Sequence, residues 1–214
     1  MSSPGRRYGW WVGALALVFL ALITLNTVLT PSNGAGGIAP GKTLAPFAVP
    51  LATGNLTGDA NIATHADDGE AGRRPACSVR GPLILNICQL YEQGPVVLAL
   101  FVDGGSCTRV LDEMQALAPD FPQVRFAAVS IKGERAALRE LVRGHRLSFP
   151  VGVDEDGALV ALYKVASCPQ LTLALPGGVV QSKALLGSPS PATLRARVSE
   201  LLAAARARGW RPAA

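Results

Sequence analysis

A run of 21 residues without one charged side chain, Gly9 to Leu29, constrains this chain more than any other feature. As a helix rising about 1.5 Å per residue, it can cross the roughly 30 Å hydrocarbon core of a bilayer. Arg6 and Arg7 stand just before the run, and the next basic residue is Lys42. The positive-inside rule therefore keeps residues 1–7 in the cytoplasm and exports the rest of the chain. Tyr8, Trp10 and Trp11 stand where an interfacial aromatic belt forms. The competing reading is a cleaved signal peptide. Its apolar core is shorter, about 7–15 residues. The stretch Thr24–Pro31 also lacks an Ala-x-Ala cleavage pattern. An uncleaved transmembrane anchor over 8–29 is expected, in a single-pass cell-membrane protein whose domain lies outside the cytoplasm.

Residues 30–41, rich in Gly, Ala and Pro, read as a flexible linker. From Thr53 to Pro75 the chain has no clear period and reads as loop or weak strand. The chain as a whole is 49% hydrophobic and 16% charged, which excludes general disorder. Its net charge of +5 comes from dispersed basic residues without interleaved aromatics, so no nucleic-acid surface is expected. His65 and His145, the only histidines, have no ligand partners at metal-site spacing, and no glycine-rich stretch forms a phosphate loop. No metal or cofactor is expected.

The pattern becomes regular at Pro95. Val96 to Val102 is a continuous apolar run and reads as a strand buried on both faces. Cys107 to Leu117 carries Val110, Leu111, Met114 and Leu117 at helical spacing. Arg125–Ile131 reads as a second buried strand and Glu134–Arg146 as a second helix. Leu171–Leu175 is a strand, Pro176-Gly177-Gly178 a turn, and Val179–Ala184 the returning strand of a hairpin. Pro191–Arg208 closes the chain as an amphipathic helix. The expected order is β-α-β-α-β-β-α, an α/β fold with parallel strands joined by crossover helices and then a hairpin and a helix.

Four stretches in this order resemble the thioredoxin-like family, in particular its membrane-anchored redoxin and extracytoplasmic thiol–disulfide oxidoreductase members. Gly41-Lys42-Thr43-Leu44-Ala45-Pro46-Phe47-Ala48-Val49-Pro50 is similar to that group's opening segment, and Gly94–Leu98 to the strand entering the active site. Cys107-x-x-Val110-x-x-Glu113-Met114-x-x-Leu117 resembles the C-x-x-C-x-x-E-M-x-x-L helix. Tyr163-x-Val165-x-x-Cys168-Pro169 resembles the segment with the cis-proline. The resemblance covers about residues 40–206. It implies a thioredoxin-like domain over 42–208, a central mixed sheet flanked by helices, with an irregular N-terminal segment to about 93 and a tail over 209–214. The sequence also departs from the family. Val110 replaces the second cysteine, Ser106 the aromatic before the first, and Gln170 the Thr after the proline. Gly104 and Leu100 stand where a peroxidase would have Thr and Pro, which ranks a one-cysteine peroxidase last.

The four cysteines are Cys77, Cys88, Cys107 and Cys168. In an exported domain they suggest disulfides, with three pairings open. Arg80-Gly81-Pro82 is a turn signal that can bring Cys77 and Cys88 together as a structural disulfide. The resemblance implies that Cys168, just before the cis-proline Pro169, faces Cys107 at the helix N-terminus, where a thiolate is favoured. The two would form a redox pair, or else an inert bridge. Asp103 stands where related oxidoreductases place a proton-accepting acid, although a turn Asp before two glycines is the plainer reading. Ser106 and Pro169 would line the substrate edge. The expected function is thiol–disulfide exchange with protein thiols or disulfides outside the cytoplasm, through Cys107 with Cys168 as partner. The alternative is a non-catalytic binding module that uses the cis-proline edge.

Overall fold

The computed structural model describes residues 5–29, 36–65 and 74–212. The expectations placed on residues 1–4, 30–35, 66–73 and 213–214 lie outside the described residues. Backbone contacts divide the chain into two units, Met1–Ala35 and Gly36–Ala214.

Among the described residues the first unit contains one helix, α1, Gly5–Leu29. Its described side chains are those of residues 11–22 and 24, and Tyr8 and Trp10 fall outside them. Among the described residues no helix is long and apolar enough to cross a membrane. Within α1, Trp11, Leu15, Leu17 and Phe19 are each at least 64% exposed.

The second unit is built on a five-stranded mixed sheet. In chain order its elements are β1 (Ala48–Pro50), β2 (Ile84–Asn86), α2 (Ile87–Gln93), β3 (Val96–Phe101), α3 (Arg109–Leu117), β4 (Arg125–Ser130), α4 (Arg135–Gly144), β5 (Val151–Val153), α5 (Ala158–Leu162), β6 (Gln170–Ala174), β7 (Leu185–Leu186) and α6 (Pro191–Ala207). The sheet order is β5-β4-β3-β6-β7, and β1 with β2 forms a separate pair. β3 runs parallel to β4 and antiparallel to β6, with Leu98 opposite both Ala127 and Thr172. All six residues of β3 are fully buried, as its unbroken apolar sequence requires of a strand covered on both faces. Their period of two divides the core. Val97, Ala99 and Phe101 pack with Leu111 and Met114 of α3 and Leu194, Val198 and Leu201 of α6. Val96, Leu98 and Leu100 pack on the other face with Phe47, Ile87, Leu159 and Tyr163.

Several expectations need correction. β5 and α5 lie between the second helix and β6, so the order is longer than β-α-β-α-β-β-α. The returning hairpin strand is β7 at Leu185–Leu186 and not Val179–Ala184. Val180 pairs back to Ala174 only as an isolated bridge, because its own N–H and C=O are taken by Lys42 and Gly41. Residues 36–41 of the expected flexible linker are tied into the domain. Gly37 donates to the Lys164 carbonyl and Gly41 to that of Val180. The expected tail also packs, since Trp210 lies against the core and donates its backbone N–H to Ala205.

The segment before β3 carries β1, β2 and α2, and its described residues between β1 and β2 are largely irregular. Asn86, 2% exposed, ends β2 and caps α2. Its side-chain oxygen accepts from the N–H groups of Cys88 and Gln89 at 2.9 and 3.2 Å. Its amide nitrogen donates to the carbonyls of Ala76 and Val79, both at 2.8 Å. One side chain thus satisfies the helix start and clamps the loop carrying Cys77 against it.

Candidate functional site

At the C-terminal end of β3 the ladder stops at Phe101, opposite Ser130. Val102 and Asp103 come next, both half-buried, and then the exposed Gly104 and Gly105. Their φ angles of +113° and +60° lie in the region glycine tolerates best, so the chain can turn sharply here. A single 3₁₀ turn, Gly105–Cys107, leads to Thr108 and the start of α3 at Arg109. The helix therefore begins two residues later than Cys107, the start expected from spacing. The Thr108 hydroxyl donates to the Gly105 carbonyl at 3.3 Å and closes the turn. Val110, in the place of a second cysteine, is fully buried and fixes α3 to the sheet.

The opposing segment precedes β6. The bond between Cys168 and Pro169 is cis. Gln170, fully buried, donates through Nε2 to the Tyr163 carbonyl and accepts from the Ala166 N–H, both at 3.1 Å. Tyr163 is itself buried and donates its hydroxyl to the Ala45 carbonyl at 2.7 Å. Burial pushes this phenol well above its ordinary range. Gln170 and Tyr163 thus hold the loop that presents Cys168. The Ser167 hydroxyl and the Pro169 carbonyl both accept from the Gly187 N–H, at 3.0 and 2.8 Å.

The two segments meet at their sulfurs. Cys107 and Cys168 are joined by a disulfide across 61 residues of sequence, with Cα atoms 5.3 Å apart. Both residues are half-buried. The backbone N–H of Val102 donates to Cys168 Sγ at 3.2 Å. A second disulfide joins Cys77 to fully buried Cys88, also with Cα atoms 5.3 Å apart. Ser106 is exposed, and its carbonyl accepts from the Ser188 hydroxyl at 3.2 Å. Pro169 is buried. Asp103 lies beside the loop after β4, its Cβ about 3.5 Å from where a side chain on Gly133 would begin.

In the sequence Glu113 serves only to mark the register of the helix. In the structure its Oε2 is buried without a hydrogen-bond partner, and burial raises the carboxyl above its usual range, opposed by nearby Arg109. His145 pairs with Asp112 of α3 at 2.6 Å. Among the described residues no cluster of three His, Cys, Asp or Glu side chains is arranged to hold a metal ion.

No protein-family model matches the sequence, and no curated protein does. Solved structures do match. A secreted disulfide oxidoreductase of Mycobacterium tuberculosis, homologous to E. coli DsbE, aligns over 56% of this chain and 90% of its own, with a TM-score of 0.50 and 21% identity. The thioredoxin domain of a thiol-disulfide oxidoreductase from Bacteroides vulgatus covers 76% of this chain and 97% of its own, with a TM-score of 0.55 and 12% identity. The fold is thioredoxin-like. A peroxidoxin, BcpB of M. tuberculosis, shares it over 79% of this chain and 97% of its own, with a TM-score of 0.54 and 17% identity. At such identities the likeness carries the fold and no more. In this thioredoxin-like domain the usual adjacent cysteine pair is absent. A disulfide between the turn before α3 and the residue before the cis-proline stands at that end of the sheet instead.

Proposed function

We propose that this chain is a membrane-tethered thiol–disulfide oxidoreductase that works outside the cytoplasm on protein thiols or disulfides, with Cys107 and Cys168 as its exchanging pair. The observation that carries this reading is the bridge between two chain segments at one end of the central sheet, both of its cysteines only half-buried. Reactive cysteines need such access, whereas in the other bridge Cys88 is fully enclosed and only its partner Cys77 is half-buried. In the exchange, the Cys107 thiolate attacks a substrate disulfide and forms a mixed disulfide. Cys168 then attacks Cys107 Sγ and releases the substrate thiol. Asp103, on the loop between β3 and Cys107, is the candidate proton acceptor. Exposed Ser106 and the edge at Pro169 are the candidate substrate contacts.

The trapping test uses Cys168→Ser protein, reduced and mixed with a disulfide-bonded model peptide. A mixed disulfide that accumulates at Cys107 is the expected result. Without an adduct, and with Cys107 inert to alkylation at pH 7 in the reduced wild type, the domain is a binding module.

The proposed anchor is the uncharged run Gly9–Leu29 within α1, whose described side chains include the exposed Leu15, Leu17 and Phe19. Such a surface suits lipid better than water. Full-length protein is expected to remain in the membrane pellet after an alkaline carbonate wash, with its domain digestible by protease added to intact spheroplasts. A soluble mature form starting near Pro31 refutes the anchor.

A further inference from the structure

The two sulfurs of the Cys107–Cys168 bridge do not share the same surroundings. Cys168 Sγ receives the Val102 N–H at 3.2 Å, while no hydrogen bond reaches Cys107 Sγ among the described residues. The donor is rigidly placed. Val102 follows Phe101, whose carbonyl is held by the Ile131 N–H. The β3–β6 register ends at Leu100 opposite Gln170. Carried two residues further, it sets Val102 opposite Cys168, so an amide proton that would join a ladder points at sulfur instead. A thiolate accepts such a bond far better than a disulfide sulfur does, so the contact favours the charged form of Cys168 once the bridge opens. Cys107 has only the start of α3 to help it, and Thr108 stands between them.

We infer that Cys168 carries the thiolate of the reduced pair, that the Val102 amide is its positioning donor, and that the site takes electrons from proteins bearing two reduced thiols. This rests on the exchange chemistry proposed above, which is written there as reduction of a substrate disulfide, and makes the reverse direction, oxidation of a substrate dithiol, the favoured one. A substrate thiolate attacks Cys107 Sγ. A new sulfur–sulfur bond forms between substrate and Cys107, the Cys107–Cys168 bond breaks, and its electron pair departs on Cys168 Sγ toward the Val102 N–H. A leaving thiolate so stabilised departs faster. The second substrate thiolate then attacks the substrate sulfur of the mixed disulfide. The substrate's own disulfide forms, and Cys107 leaves as a thiolate and takes up a proton. The substrate has lost two electrons and the cysteine pair has gained them.

Two measurements test this. In the first, Cys107→Ser and Cys168→Ser proteins are alkylated with iodoacetamide across pH. Cys168 is expected to react with a midpoint about one pH unit below that of Cys107, roughly the effect of one hydrogen bond to a charged sulfur. Val102→Pro, placed in the Cys107→Ser background, removes the amide proton and should raise the Cys168 midpoint by a similar amount, provided circular dichroism shows the fold intact. A lower midpoint for Cys107 overturns the inference, as does an unmoved Cys168 in folded Val102→Pro protein. The second measurement needs no variant. Oxidised wild-type protein receives a brief pulse of glutathione, is quenched in acid and is mapped by mass spectrometry. The adduct is expected on Cys107 with Cys168 free. An adduct on Cys168 overturns this inference and leaves the exchange reading standing, whereas a bridge inert to glutathione, in a protein whose thiols do not alkylate, overturns both.

Discussion

The double variant Cys107→Ser/Cys168→Ser is expected to be less stable than the oxidised wild type by roughly 4 kcal/mol. The bridge spans 61 residues of sequence, and in the chain-entropy model closing a loop of that size removes about this much from the unfolded ensemble. Little else should change. A serine at 168 can still accept the Val102 N–H, and the surrounding core of Val110, Leu111 and Met114 is untouched. Urea unfolding of the two proteins, with Cys77–Cys88 intact in both, gives the difference directly. Equal midpoints would mean that the bridge does not constrain the chain. The Cys77–Cys88 bridge spans only 11 residues and should contribute less, about 2.7 kcal/mol. The consequence for function is one of linkage. Whatever the Cys107–Cys168 bridge adds to the fold, the fold adds equally to the bridge, which makes it harder to reduce. A hydrogen bond that is strongest to the Cys168 thiolate works in the opposite direction. The balance of loop closure and the Val102 amide sets how readily the pair exchanges.

β3, β4 and β6 announce themselves as apolar runs, and α3, α4 and α6 by their periodic stripes. β5, with three residues and a glycine at its centre, and α5, with five, are shorter than any period can reveal. Asp154 illustrates the same limit. It sits in an Asp-Glu-Asp-Gly stretch that reads as a surface turn, yet it is fully buried and accepts from the N–H groups of Ala158 and Leu159 at the start of α5. Burial, with Asp156 beside it, pushes its carboxyl up to about 7. The positions of Cys107 and Cys168 come from resemblance, because the residues before and after them keep a known register. Asn86, Gln170 and Val102 carry no such signal. Asn86 and Gln170 are single amides, and each fixes a loop that bears a cysteine. Val102 acts through a backbone N–H, which every residue except proline possesses. Gly36–Gly41 and Trp210 fail for a different reason. Their composition is that of a spacer and a tail, and only the space left by Ala184, Lys164 and Ala205 shows that they pack.

Gly152→Ala is the single substitution expected to damage the domain most, by about 3 kcal/mol, at the upper end of the range for overpacked cores. Gly152 is the middle residue of β5, opposite Val129 in the sheet and bridged to Leu51 on its other side. A Cβ there would overlap Cγ2 of Val49 and lie 3.4 Å from Cγ2 of Val129 and 3.5 Å from Cδ1 of Leu85. Val49 and Val129 are fully buried and Leu85 nearly so, which leaves none of them an exit toward solvent. Only the absence of a side chain at 152 lets the β1–β2 pair lie across the sheet edge, and a methyl group would force that pair outward. The displaced pair ends in Asn86, which clamps the Cys77 loop, so the disturbance should spread to α2 and the Cys77–Cys88 bridge. A second substitution isolates the cause. Val49→Ala alone opens a small cavity and costs stability, but in the Gly152→Ala background it removes the overlapping methyl group. The two changes together should be less harmful than their sum by about 1 kcal/mol or more, the coupling expected of residues in direct contact. Strict additivity of the two losses would show that the close approach of β1 to Gly152 is not what the glycine preserves.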